Sequence, residues 1–204
     1  MKKVVFATGN KNKVKEIHEI LKDLDFEIVT MKEAGIETEI VENGTTFEEN
    51  AMIKAETVAK AAEPGVYVMA DDSGLVIDHL NGEPGIYSAR YMGEDTSYDV
   101  KNNNLIGRLD GVPKEERTAR FVCAVACIFP DGSKHCVRGT IEGYIGWEQA
   151  GENGFGYDPI FMVDEYGCTT AQMTPEQKNA ISHRGQALRM MREEIIKYED
   201  SCGQ

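Results

Sequence analysis

The sequence has no run approaching the ~20 apolar residues that a membrane-spanning helix needs. Its first ten residues, MKKVVFATGN, carry two lysines as a signal peptide would. The apolar run breaks at Thr8-Gly9, too short for a secretory h-region, so a cytoplasmic setting is expected. Positive charge is scarce, with 22 Lys and Arg against 35 Asp and Glu and a net charge of −13. That balance excludes a broad basic surface for polymeric nucleic acid, but not one small anion met by a few focused lysines. Neither G-x-x-x-x-G-K-[ST] nor G-x-G-x-x-G occurs, which removes the two commonest phosphate-loop signatures. No C-x-x-C occurs among the five cysteines. Cys123 and Cys127 lie in RFVCAVACIF, where both period-two faces are apolar, so they read as reduced thiols in a strand buried on both sides.

What is present is a globular chain of 204 residues, 41% hydrophobic and 28% charged, without repeats or low-complexity tracts. It is expected to form one domain over residues 1–204 with two lobes, the stretch from about 79 to 118 belonging to the smaller. KVVFA and FEIVT read as strands, with a helix from about Lys11 to Leu24 between them. Residues 31 to 45 look irregular. Thr46 and Glu49 have capping-box spacing ahead of a helix that Pro64-Gly65 ends. Strands follow at about 66–70 and 74–78, with Asp-Ser-Gly between them as good turn chemistry, then a helix near 97–109. Two long strands should pair through PDGS at 130–133, and a last helix runs from Ser182 to Tyr198. The alternation predicts an α/β fold, a mixed central sheet flanked by helices.

Several charges stand where a purely structural sequence would avoid them. Asp71 and Asp72 are adjacent at the mouth of an apolar run, and desolvating either is costly without compensation. Lys54 falls inside the apolar arc of Phe47, Ala51 and Val58, with Asn50 at its border. Either its stem snorkels to a salt bridge, or it meets an anionic ligand. Arg184 lines up with Leu188, Met191 and Ile195, and with His183 it opens a helix where the dipole disfavours cations. Either that first turn is surface-exposed, or a bound anion removes the conflict. Thr8, Gly9 and Asn10 end a buried strand ahead of Lys11, Asn12 and Lys13, an arrangement suited either to a phosphate or to an ordinary helix cap. On an extended strand the two aspartates project to opposite faces, so they are expected to do different jobs. One would hold Mg²⁺ or orient water, and the other would pair with a lysine.

With these residues in hand, the chain resembles the inosine/xanthosine triphosphate pyrophosphatase family. The motifs FATGNKNKVKEI, TFEENAMIKA, ADDSGLVID, PGIYSARY, GFGYDPIF and KNAISHRGQAL run in family order from residue 6 to residue 188. The resemblance implies an elongated two-lobed fold with its active site in the cleft between lobes, usually a homodimer. It implies Mg²⁺-dependent hydrolysis of ITP, dITP and XTP to the monophosphate and pyrophosphate. It makes Asp72 the proton acceptor and a metal ligand, with Lys13, Lys54 and Asp71 supporting the phosphate site. Thr8 to Lys13, Ser73, Phe155, Gly156, Tyr157, Asp158, Lys178, His183 and Arg184 become substrate contacts. Phe155 and Tyr157 either frame the base or are ordinary core aromatics. Some family members carry a metal-binding glutamate three residues before the glycine of this region. That position is Val41 here, and Glu42 follows it, so either Glu42 substitutes as the second ligand by a backbone shift or that ligand is missing. The rival readings are a Maf-like pyrophosphatase acting on pyrimidine nucleotides and a nucleotide-binding protein without catalysis.

Overall fold

The computed structural model describes residues 2–8, 11–22 and 25–202, without the side chains of Lys11, Asn12 and Glu16. Strand β1 (Lys2–Phe6) leads to α1 (Lys11–Leu21) and β2 (Phe26–Thr30). Helix α1 is shorter than expected, and Leu24 lies outside the described residues. Helix α2 spans Phe47–Ala59, β3 Tyr67–Ile77, α3 Tyr98–Arg108, β4 Thr118–Ile128 and β5 Lys134–Ile145. The chain then forms β6 (Phe161–Val163), β7 (Cys168–Thr169), α4 (Pro175–Ile181) and α5 (His183–Cys202). The seven strands make one mixed sheet in the order β2-β1-β3-β4-β5-β6-β7. Strand β1 pairs in parallel with β2 and β3, while β6 is antiparallel to β5 and β7.

Three sequence expectations change. Residues 66–70 and 74–78 are not two strands around an Asp-Ser-Gly turn, because β3 runs unbroken from Tyr67 to Ile77. Turn chemistry lost to burial here, since β3 is flanked in the sheet by β1 and β4. Helix α4 was not anticipated, although its start is marked plainly. Thr174 caps Gln177 N, the Gln177 side chain reaches back to Thr174 N, and Pro175 fills the first turn. At α2 the box is shifted by one residue. Thr46 Oγ1 accepts from Glu49 N as expected, but the Glu49 carboxylate accepts from Thr45 N at 2.6 Å.

Strand β4 is buried on both faces, as its pattern predicted, and Cys123 and Cys127 are buried core thiols outside any disulfide. The chain divides into two compact units. The first contains residues 1–72, 123–139 and 183–204, and the second 73–122 and 140–182. The core of the first includes Val4, Phe6, Ile17, Met69, Cys123, Val125 and Leu188. That of the second includes Leu75, Ile77, Leu105, Phe121, Tyr157 and Phe161. By the usual ~25 cal/mol per Å² of apolar surface removed from water, each large side chain buried in these cores contributes about 1.5–3 kcal/mol.

Candidate active site

In the first unit the two aspartates of β3 are almost fully buried and have separate partners. Lys13 in α1 places Nζ 2.8 Å from Asp71 Oδ2, and Arg184 in the first turn of α5 brings Nε within 3.5 Å of the same oxygen. Burial alone would raise the Asp71 carboxyl. The charges of Lys13, Arg184 and Lys54 outweigh it and hold the group well below the ordinary range. Arg184, which looked misplaced in the sequence, therefore shares one carboxylate with Lys13.

Asp72 faces α2. Lys54 Nζ donates to its Oδ1 at 3.0 Å and stands 3.3 Å from Glu42 Oε1. One ammonium thus serves two carboxylates. Burial raises the Asp72 carboxyl, the Lys54 charge opposes that rise, and Glu42 and Asp71 add to it, leaving Asp72 above the ordinary value. Burial lowers Lys54, but Asp72, Asp71 and Glu42 overcompensate and its ammonium is held charged. The departure at Val41 is accommodated simply: Val41 is 63% exposed, while the Glu42 carboxylate reaches the cluster.

Asn50 was passed over as a border position on α2. It is fully buried, accepts from Gly44 N at 2.9 Å and donates from Nδ2 to Asp72 Oδ2 at 3.4 Å. It therefore ties the backbone near Glu42 to the Asp72 carboxylate. The available signal was a carboxamide one helical turn before Lys54 on the same buried stripe. A second unannounced feature is Gly139 in β5. A Cβ there would lie 2.1 Å from His183 O and 2.7 Å from Ala187 N, so its lack of a side chain admits the start of α5. His183 and Arg184 are both buried at that start. Thr8 is half-buried at the end of β1. Gly9 and Asn10 lie outside the described residues, and Lys11 and Asn12 are placed only as backbone in α1.

The remaining predicted residues belong to the second unit. Ser73 is half-buried in β3. Asp158 is buried and accepts from Lys178 Nζ at 2.7 Å, from Phe155 N at 2.8 Å and from Thr170 Oγ1 at 2.8 Å. Lys178 Nζ also lies 5.2 Å from the centre of the half-buried Phe155 ring. Tyr157 is a core aromatic whose hydroxyl donates to Ser88 O at 2.7 Å. Gly154 and Gly156 both take positive φ, 77° and 71°. A Cβ on Gly154 would fall 2.2 Å from Asp158 Oδ2, so the loop closes around that carboxylate only without a side chain there.

A family model described as the Ham1 family matches residues 4–194. The chain belongs to the Ham1 family. It is 49% identical over 191 residues to a dITP/XTP pyrophosphatase of Bacillus subtilis, covering 94% of this chain and 96% of that one. A dITP/XTP pyrophosphatase of Clostridium perfringens is 46% identical over 199 residues, covering 96% and 98%. Among solved structures, the Staphylococcus aureus Ham1 protein matches with a TM-score of 0.87 at 40% identity, over 97% of this chain and all of that one. A nucleoside-triphosphatase/dITP/XTP pyrophosphatase from Mycobacterium abscessus gives a TM-score of 0.75 at 39% identity, over 93% and 98%.

Whether this Ham1 chain suits a divalent cation can be judged from its donors. Asp72 and Glu42 are hard oxygen donors drawn to a single ammonium. Among the described residues no group of three or more His, Cys, Asp or Glu is gathered as a metal cage. Two carboxylates fit Mg²⁺, which takes one or two of them and fills its other positions with water and substrate phosphate oxygens.

Proposed function

We propose that the chain hydrolyses non-canonical purine nucleoside triphosphates, ITP, dITP and XTP, to the monophosphate and pyrophosphate. The observation that carries this reading is the Asp72–Lys54–Glu42 arrangement in a Ham1 chain nearly half identical to dITP/XTP pyrophosphatases. Asp72, raised above an ordinary carboxylate, takes the proton of a water that attacks the α-phosphorus. As the new P–O bond forms, the α–β bridging bond breaks and its electron pair leaves on pyrophosphate. Lys54 holds Asp72 in place and offsets negative charge beside it. Lys13 lies in the first turn of α1, where backbone N–H groups favour phosphate, and Asp71 fixes its ammonium. Arg184 is fixed by the same carboxylate. Mg²⁺ would be held by Asp72 and Glu42 and, when bound, neutralises triphosphate charge.

Phe155, Gly156, Asp158 and Lys178 recognise the base in this proposal, and Tyr157 anchors their loop from the core. The purine 6-oxygen of hypoxanthine and xanthine accepts hydrogen bonds where adenine donates, so a donor left unpaired by adenine costs ~1–3 kcal/mol. Two such mismatches give roughly 10²–10⁴-fold discrimination against ATP. A homodimer and a cytoplasmic setting belong to the same proposal and are supported by the family resemblance.

The test is pyrophosphate release from ITP, dITP, XTP, ATP, GTP and the pyrimidine triphosphates with Mg²⁺. Release should be far faster from the first three. Asp72→Asn should lower turnover roughly 10²-fold or more with the fold intact. A pyrimidine preference, or binding without release, would replace this reading with one of its rivals.

A further inference from the structure

The proposed chemistry uses no residue of α3, yet the first turns of that helix grip the loop assigned to the base. Asn102 is 1% exposed, and its Nδ2 donates to Gly156 O and to Gln149 Oε1, both at 3.2 Å. Both partners are acceptors, so the orientation of the carboxamide is determined. Gln149 in turn donates from Nε2 to Asp99 Oδ1 at 2.8 Å and to Asn103 Oδ1 at 3.0 Å. Tyr98, at the start of α3, meets Tyr157 edge-on with ring centres 5.2 Å apart. A Cβ on Gly156 would already lie 3.6 Å from the Tyr98 ring. Lys101 holds the segment before α3 through Ala89 O at 2.8 Å.

The loop cannot hold this shape through its own backbone preferences. Gly154 and Gly156 are both left-handed, and glycine loses more conformational entropy on ordering than any other residue. The carbonyl between Phe155 and Tyr157 is therefore fixed from outside, by Asn102.

We infer that Asn102, supported by Gln149, is a positioning residue that sets base specificity by holding the Phe155–Asp158 loop in its recognising shape. The inference rests on the proposal that this loop reads the purine base. Asn102→Asp keeps the size of the side chain and sets a carboxylate oxygen against two acceptors. It should raise KM for dITP about tenfold, leave kcat within about threefold, and narrow the dITP:dATP ratio of kcat/KM by a similar factor. Gln149→Ala, at a half-buried site, should move the same quantities in the same direction by less. Ile77→Ala, a core truncation in the same unit, should lower the melting temperature and leave that ratio at its wild-type value.

The measurements are steady-state kinetics on dITP, XTP and dATP, with a thermal melt of each variant. A folded Asn102→Asp with wild-type KM and ratio would overturn the inference. So would an equal narrowing in Ile77→Ala, which would make the effect general loosening. If Asn102→Asp does not fold, Gln149→Ala decides alone, and an unchanged ratio there overturns the inference. A wild-type enzyme with no preference for dITP over dATP would overturn the base-reading proposal as well. Discrimination in the wild type, lost in Phe155 or Lys178 variants but kept in those of Asn102 and Gln149, overturns only the positioning role.

Discussion

Replacing Lys54 by methionine tests the electrostatics of the site more sharply than any change at the aspartates. From the helix pattern alone, Lys54→Met removes a charge from an apolar stripe and should leave stability unchanged or raise it. The ion pairs reverse that sign. The Lys54 side chain is 11% exposed and Asp72 10%, so the variant strands a buried carboxylate, with Glu42 at 29% exposure left beside it. Removing one partner of a buried pair costs ~3–5 kcal/mol. Glu42 can turn toward water, which places the expected loss at the low end, about 3 kcal/mol. For a chain of this length that corresponds to roughly 6–12 °C in melting temperature.

The pH dependence follows from Asp72. Burial already raises its carboxyl, and the ammonium that opposes the rise is gone in the variant. A carboxyl with a raised folded value binds its proton more tightly folded than unfolded. The penalty is therefore smallest in the ordinary carboxylate range and grows as pH rises through the raised value. Asp71, still held low by Lys13 and Arg184 when Lys54 is gone, stays ionised at both pH 5 and pH 8, so the change between them reports Asp72. Melts at pH 5 and pH 8 should show the larger gap at pH 8, and Lys54→Met combined with Asp72→Asn should recover much of the loss. A Lys54→Met protein as stable as wild type at pH 8, or a double variant no better than the single, would refute this reasoning.

Three further expectations concern other parts of the molecule. Asp71 has a depressed carboxyl, so its stabilisation is complete above the unfolded carboxylate value and is lost as pH falls toward its folded one; Asp71→Asn should cost ~3–5 kcal/mol at pH 7 and flatten the decline of melting temperature between pH 6 and pH 3, and an equally steep decline would count against the pairing. Gly139→Ala sets a methyl against the backbone of His183 and Ala187 and should cost about 1–3 kcal/mol while lowering triphosphate hydrolysis, whereas full activity would show that α5 does not need that close approach. Cys136 is exposed, but desolvation at its thiol and the nearby Glu48 charge push it up to about 11; its alkylation rate, followed by mass spectrometry, should keep rising to about that pH, and a plateau near 8.5, the value of a free thiol, would contradict it.

What the sequence could disclose depended on whether a residue's role was local. The amphipathic stripe of α2 put Lys54 on the buried face because helical period is a property of the segment itself, and Lys54 is buried. Strand alternation separated the duties of Asp71 and Asp72, and their partners do differ. Which cations they meet depends on where α1, α2 and α5 pack, and no spacing rule reaches across 113 residues from Asp71 to Arg184. The same distance misled the reading of Asp-Ser-Gly. Its local chemistry favours a turn, but the compensating charges come from other elements and let two carboxylates remain inside a strand. Asn50 reads only as a border position for a related reason. A carboxamide in a first turn is unremarkable until Gly44 and Asp72 are seen on its two ends. Helix α4 is the opposite case, because Thr174, Pro175 and Gln177 form a complete local signal that neighbouring motifs obscured. Misplaced charges on periodic faces are thus the part of such a site that sequence exposes, and the neutral amides that hold those charges in register are the part it conceals. Asn50 and Asn102 each use both ends or both protons of one amide to join segments distant in the chain, and a helix pattern can bury such an amide without naming its partners.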